Sequence, residues 1–142
     1  MKIITYGLLP CMLLCVILSV SAMQKPARNP VQRIAWVTGL KPEKADRYRN
    51  LHSKPWPGVN EMIKQCHIQN FSIYEREIEG KIYLFAYLEY TGSDFAGDMK
   101  RMAADSATQR WWKETDPCQS PLTEAAAAGK SWADTKEIYH LD

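Results

Sequence analysis

The sequence predicts an α+β fold in which helices cover one face of an antiparallel, ferredoxin-like sheet. Three observations predict this fold. Two apolar runs flank a tight turn, amphipathic segments with helical spacing come before and after that pair, and strand-like segments open and close the series. A sheet with helices on one side leaves its other face bare, so we expect a homodimer that pairs these faces.

The first strand and a split helix are predicted in the first third of the domain. Arg33–Thr38 has the β-branched and aromatic content of a strand. Pro42 fits the first turn of a helix that ends near Ser53, and Pro57 fits the start of a second helix. The second helix carries an apolar stripe at positions i, i+3, i+4 and i+7, formed by Val59, Met62, Ile63 and Cys66.

A hairpin is predicted next. Ile68–Arg76 and Lys81–Tyr90 flank Glu79-Gly80, a sequence typical of a tight turn. The second run is apolar on both faces, which indicates a central strand. Its alternating aromatic residues are expected to fill a dimer core rather than to bind a cofactor; they are Tyr83, Phe85 and Tyr87.

The last third of the chain is predicted to hold another split helix and a closing strand. Ser93 and Ser106 are expected to cap the two helical pieces, because serine side chains satisfy free N–H groups at helix starts. Asp116–Asp134 is a long polar stretch that is interpreted as a connection. Thr135–Leu141 alternates in polarity, which predicts the final strand.

The N-terminal 22 residues are predicted to be a secretory signal peptide. Lys2 is their only charge, an apolar run follows, and Val20-Ser21-Ala22 supplies the small residues of a cleavage site. Residues 23–31 are interpreted as a linker and residues 32–142 as one domain. We therefore expect a secreted or periplasmic protein without stable membrane insertion after cleavage. A retained N-terminal membrane anchor is the alternative.

Composition excludes several classes of function. The formal net charge of +2 gives no basic surface for nucleic acid. Only Cys66 and Cys118 fall in the predicted domain, where a disulfide is possible in an oxidising compartment, although their spacing does not show whether they meet. No zinc-type ligand spacing, Gly-rich phosphate loop or nucleophile elbow occurs. We expect neither a metal nor an organic cofactor.

Two pairs of residues are candidates for chemistry. Tyr48 and His52 lie four residues apart on one helix face, where histidine can exchange a proton near neutral pH and tyrosine can orient hydroxyl groups. Trp111 and Trp112 differ by about 100° around their helix, so we expect one ring in the core and the other beside a cleft. Indole rings stack on the apolar faces of sugars, and Trp56 is a further candidate. For both pairs, a purely structural role is the alternative.

Five motifs then occur together and in order between residues 33 and 141. They are Asp46-Arg47-Tyr48-Arg49-Asn50-Leu51-His52, Pro55-Trp56-Pro57, Asn70-Phe71-Ser72-Ile73-Tyr74, Gln109-Arg110-Trp111-Trp112-Lys113 and Glu137-Ile138-Tyr139-His140-Leu141. With these motifs the domain resembles the L-rhamnose mutarotases, small dimeric α+β-barrel proteins. The resemblance implies an isomerase that interconverts the α and β anomers of a 6-deoxy-hexopyranose by acid–base ring opening.

The resemblance also implies roles for individual residues. His52 would be the proton donor, to the ring oxygen, while Tyr48 or a positioned water handles the anomeric proton. The implied sugar contacts are Tyr48, Phe71, Trp111 and Trp112. Phe71 replaces a tyrosine that is usual in the family, Gly58 replaces a frequent acidic residue, and the signal peptide differs from the family's cytoplasmic members. The alternatives are a mutarotase for another sugar such as L-fucose, a non-catalytic sugar-binding module, and a monooxygenase-like α+β barrel with an apolar ligand.

Overall fold

The computed structural model describes residues 30–141, so the predicted signal peptide and most of the predicted linker lie outside the described residues. The strands are β1 (Gln32–Leu40), β2 (Ile68–Ile78), β3 (Lys81–Tyr90), β4 (Gln119–Ser120) and β5 (Ala133–Asp134). The helices are α1 (Ala45–Ser53), α2 (Pro57–Gln65), α3 (Phe95–Ala104), α4 (Ser106–Thr115) and α5 (Thr123–Ala127). From residue 30 to residue 141, no helix combines the length and the apolar character needed to cross a membrane.

The strands form one antiparallel sheet in the order β2-β3-β1-β4, with β5 also paired to β1. This order and the helices between the strands confirm the predicted ferredoxin-like α+β fold. As predicted, β3 is central. Its alternate residues Leu84 and Leu88 are buried on the inner face, which we define as the face that the helices cover.

The β2–β3 hairpin has the predicted turn. Glu79 and Gly80 have φ angles of 51° and 73°, the left-handed conformation at both turn residues that gives a two-residue hairpin the twist of its strands. Further along the pair, the register shifts between Gln69 and Ser72. Asn70 at this bulge also has a positive φ, of 50°. The bulge turns the following residue, Phe71, toward the inner side of the sheet, where it lines a cavity.

Two clusters of buried side chains form the core. One is made of Leu40, Ala45, Tyr48, Leu84 and Cys118, and the other of Cys66, Ile68, Leu88, Tyr90 and Met102. Cys66 and Cys118 belong to different clusters and are free, buried thiols. The disulfide that the sequence left open is therefore absent, because each sulfur is enclosed by its own half of the core.

The predicted serine caps are wrong by one residue each. Asp94 precedes α3, and its carboxylate accepts a hydrogen bond of 2.9 Å from the backbone N–H of Gly97. Asp105 precedes α4 and accepts one of 2.7 Å from the N–H of Thr108. A charged carboxylate is a stronger acceptor than a hydroxyl and also interacts favourably with the positive end of the helix dipole. Aspartate therefore takes the cap position beside each serine.

The predicted closing strand at Thr135–Leu141 is also wrong. The strand there is the two-residue β5, and the chain leaves the sheet after it. Thr135 donates from both its backbone N–H and its hydroxyl to the carbonyl of Ala35, at 3.2 and 2.8 Å. Beyond this point Ile138 is 91% exposed. A segment of alternating polarity forms a strand only where its apolar side chains can pack on a surface. Among residues 30–141, no such surface lies beside Thr135–Leu141.

The second face of the sheet, which we call the outer face, has no helix on it. Val37 and Tyr74 lie opposite Phe85 on the two neighbouring strands, so the three side chains stand next to one another. Tyr74 is 63% exposed and Phe85 is 37% exposed. The bare apolar face predicted from the sequence is therefore present in the structure.

Candidate active site

A cavity of about 820 Å³ lies between the helices and the inner face of the sheet. Its volume is in the range of small-molecule sites, and its walls are mostly apolar with a few polar groups, as in such sites. The five site residues predicted from the sequence are Tyr48, His52, Phe71, Trp111 and Trp112, and all of them line this cavity. The fold thus brings together side chains from α1, β2 and α4.

The tautomer of His52 follows from the helix it stands on. Its Nδ1 lies 2.9 Å from the backbone carbonyl of Tyr48, one turn earlier in α1. A carbonyl oxygen can only accept, so Nδ1 carries the hydrogen and donates it. In the neutral ring Nε2 is therefore unprotonated, and it is the ring nitrogen that can accept a proton from a ligand.

Burial favours the neutral form of His52. Desolvation lowers the pKa of the imidazole below its usual value, and the hydrogen bond to the Tyr48 carbonyl opposes this effect only in part. The ring also packs against two aromatic neighbours, with centroid distances of 4.1 Å to Tyr48 and 5.2 Å to Trp111. At neutral pH the residue is thus a fixed, uncharged base.

Tyr48 is a buried phenol, only 4% exposed. Burial raises the pKa of its hydroxyl above the usual value, the negative charge of Asp116 acts in the same direction, and a hydrogen bond from Gln119 opposes both. The hydroxyl therefore stays protonated over the physiological range, so it serves as a hydrogen-bond donor. A donor and a base consequently lie beside each other in the cavity wall.

The tryptophan pair follows the prediction in part. We expected one ring in the core and the other beside a cleft; Trp111 is the buried ring, but both rings line the cavity. Trp111 is buried and contacts the edges or faces of His52 and Trp56, with ring centroids 5.2 and 5.4 Å apart. Trp112 is half-buried and packs next to the core cluster that contains Cys66. The cavity is wide enough to receive side chains that differ by 100° around α4.

Several residues of the cavity were not predicted as site residues. They come from the polar stretch that follows α4, and they include Asp116, Gln119, Lys130 and Asp134. This stretch folds back over the sheet: Asp134 accepts hydrogen bonds from Trp36 Nε1 at 3.1 Å and from Lys130 at 2.7 Å. Burial raises the pKa of Asp116. The only sequence signal for these residues was a polar segment long enough to return to the sheet.

The described residues contain no group of three or more His, Cys, Asp or Glu side chains that could hold a metal ion. His67, beside Cys66 in the sequence, instead lies 2.8 Å from the carboxylate of Asp98.

The family model for L-rhamnose mutarotase matches residues 33–141. The chain belongs to the L-rhamnose mutarotase family. Among its relatives, the L-rhamnose mutarotase of Bacillus subtilis is 29% identical over 112 residues, which is 79% of this chain and 100% of the relative. The L-rhamnose mutarotase of Shouchella clausii is 29% identical over 77% of this chain and 97% of its own length.

The fold has a solved counterpart. The crystal structure of L-rhamnose mutarotase from Formosa agariphila superposes with a TM-score of 0.57 at 18% identity, and covers 78% of this chain and 99% of the other. At this identity the match concerns the fold alone. Membership of the family makes the chain an isomerase of the mutarotase type that acts on a sugar.

Proposed function

We propose that this protein interconverts the α and β anomers of L-rhamnose or of a closely related 6-deoxy-hexopyranose. The observation that carries the proposal is the pairing of His52 with Tyr48 in the wall of an otherwise mainly apolar cavity. Anomer interconversion needs a proton removed from one oxygen and a proton supplied to another, and both groups are present. The family match supports the choice of sugar.

His52 is proposed to act first as a base. Its neutral Nε2 takes the proton of the anomeric hydroxyl, the electron pair of that O–H bond forms the aldehyde carbonyl, and the bond from C1 to the ring oxygen breaks. The imidazolium then gives its proton to the ring oxygen, which was attached to the same carbon. Rotation about C1–C2 and reversal of these steps close the ring with the opposite anomeric configuration. This order makes His52 the proton donor that the sequence predicted, and it starts from the neutral ring.

The remaining cavity residues are proposed to hold the sugar. Tyr48, kept as a phenol by burial, donates a hydrogen bond to a sugar oxygen. Trp111 and Trp112 offer indole surface to the apolar C–H groups, including the methyl group of a 6-deoxy sugar. Phe71 lines the same cavity with an apolar ring and supplies no hydroxyl.

Saturation-transfer NMR of L-rhamnose anomers tests the proposal directly. We expect wild type to accelerate exchange, and His52→Ala to lose about 10²–10⁴-fold of that acceleration, the usual contribution of general acid–base catalysis. His140→Ala, which removes a histidine outside the cavity, is the matched control and should exchange like wild type. Equal rates for His52→Ala and wild type would contradict the assignment.

The same measurement separates the other candidates. Wild type that binds L-rhamnose without accelerating exchange would be a sugar-binding module, and faster exchange of L-fucose than of L-rhamnose would identify a different preferred sugar. We retain L-rhamnose as the proposal because the relatives from Bacillus subtilis and Shouchella clausii both bear that name.

Two further proposals concern the protein outside its site. A homodimer formed through the outer face is supported by the exposed side chains of Tyr74 and Phe85 and by the exposed tail residues Ile138 and Tyr139.

Export with cleavage after Ala22 is supported by the apolar run and small-residue exit of the first 22 residues. The intact mass of the secreted or periplasmic protein should correspond to a chain starting at Met23, and a full-length mass would contradict cleavage.

A further inference from the structure

Two buried polar side-chain atoms in the cavity wall have no hydrogen-bond partner among the described residues. Gln119 is 4% exposed, lines the cavity, and its Oε1 accepts no hydrogen bond. The other such atom is the hydroxyl oxygen of Thr108, but that side chain lies beside the capping carboxylate of Asp105. An unpartnered buried acceptor has lost its hydrogen bonds to water without replacement, so its presence calls for an explanation.

Gln119 lies near the Tyr48 phenol. Both residues line the cavity, and Cys118, which precedes Gln119, packs in the same core cluster as Tyr48. The Gln119 amide acts to lower the pKa of the phenol, which is the effect of an amide N–H directed toward the Tyr48 oxygen.

The backbone around Gln119 fixes the position of this amide. Gln119 is paired with Leu40 where β4 meets β1. The preceding residue, Cys118, is buried, and its carbonyl accepts a 2.9 Å hydrogen bond from the N–H of Lys41. A side chain that projects from such a held segment is preorganised, which is how sites obtain precise hydrogen-bond geometry.

We propose that Gln119 is a specificity-determining and positioning residue, whose Oε1 accepts a hydrogen bond from one hydroxyl of the bound sugar while its N–H orients the Tyr48 hydroxyl toward another sugar oxygen. The inference rests on the proposed function and extends it to a residue outside the five motifs. A buried acceptor without a partner rejects a ligand that lacks the matching donor, because the acceptor then remains unsatisfied.

The test compares sugars that differ by one hydroxyl. Exchange rates are measured for L-rhamnose and for its 2-deoxy, 3-deoxy and 4-deoxy analogues, with wild type and with Gln119→Met, which has similar length and no polar atoms. We expect Gln119→Met to raise KM for L-rhamnose by about 3–10-fold, the effect of one hydrogen bond, with a smaller change in kcat. For the deoxy analogue that lacks the contacted hydroxyl, we expect the KM of wild type to rise by a similar factor. The KM of Gln119→Met should be the same for this analogue as for L-rhamnose.

Control proteins separate this specific effect from a general loss of structure. Ser120→Ala alters the exposed neighbour in β4 and should behave like wild type with all four sugars. Gln119→Glu retains an acceptor oxygen and should keep the wild-type order of sugars. Gln119→Leu has no acceptor and provides a second variant if Gln119→Met unfolds. Thermal unfolding curves establish that each variant is folded.

The outcomes distinguish the two levels of the proposal. Wild type that exchanges L-rhamnose, together with an acceptor-free variant (Gln119→Met or Gln119→Leu) that is folded and discriminates among the deoxy sugars as wild type does, would overturn the role of Gln119 alone. Wild type that neither binds nor exchanges any of these sugars would overturn the proposed function and, with it, this inference.

Discussion

The chemistry of His52 depends on the carbonyl one helical turn before it. In α1 the carbonyl of Tyr48 accepts the Nδ1 hydrogen at 2.9 Å, and this contact leaves Nε2 as the unprotonated nitrogen of the neutral ring. Burial by Tyr48 and Trp111 then lowers the pKa of the ring. One backbone contact and two aromatic neighbours thus make the residue a neutral base with a defined orientation.

We expect the activity to depend on pH through this group. The pKa of His52 lies below its usual value in the folded protein, so the neutral form dominates above that lowered pKa. The pH profile of kcat/KM for anomer exchange should therefore be flat around neutral pH and fall as the pH drops through the lowered value. Activity that rises continuously toward acid pH would instead show that the imidazolium is the starting form.

At the scale of single elements, specific capping residues rather than general composition determine where the short helices α3 and α4 begin. α3 and α4 are separated only by Asp105, and the preceding Asp94 starts the pair. Each carboxylate satisfies a backbone N–H that would otherwise lack a partner at the helix start. These caps set where α4 begins and therefore which of its residues, Trp111 and Trp112 included, reach the cavity.

The cap at Asp94 can be tested by substitution. We expect Asp94→Ala to lower the free energy of unfolding by about 1 kcal/mol, because the N–H of Gly97 loses its acceptor. Ser93→Ala is the matched control and should change it by less than about 0.5 kcal/mol. Urea unfolding followed by circular dichroism measures both. A larger loss of unfolding free energy for Ser93→Ala than for Asp94→Ala would show that Ser93 is the cap.

At the scale of the whole molecule, the sheet divides the protein into a functional side and a bare side. The inner face and the helices enclose the cavity, while the outer face presents Tyr74 and Phe85 to solvent beside the half-buried Val37 in the single chain. Exposed apolar side chains that adjoin in this way are typical of an association surface. The outer face is therefore the surface through which we propose the homodimer forms, and the inner face carries the candidate site.

We expect Phe85→Glu to disrupt the proposed homodimer, because it places a charge in the middle of the outer face. Analytical ultracentrifugation should show a dimer for wild type and a monomer for the variant, and the Tm of wild type alone should rise with protein concentration. Lys100→Glu introduces a glutamate at an exposed position of α3, one of the helices on the inner side of the sheet, and this variant should remain dimeric. A monomeric wild type would contradict the proposal that the outer face is a dimer interface.

The sequence by itself determined the order of elements and the residues of the motifs. Apolar periodicity placed α2, the hairpin and the central strand β3, because these segments are long and bury one side or both. The spacing of Tyr48 and His52 placed both on one helix face, since that relation is local. Local patterns could not decide between aspartate and serine as caps, because both residue types accept the same hydrogen bond.

Only the tertiary structure decided which distant groups meet. The segment after α4 folds back over the sheet and brings Gln119 into the same cavity wall as Tyr48, a long-range arrangement that no periodicity encodes. The tertiary structure also places Cys66 and Cys118 in different core clusters and leaves Thr135–Leu141 outside the sheet. Such outcomes depend on which surfaces remain available after the core has packed, and that is a property of the whole fold.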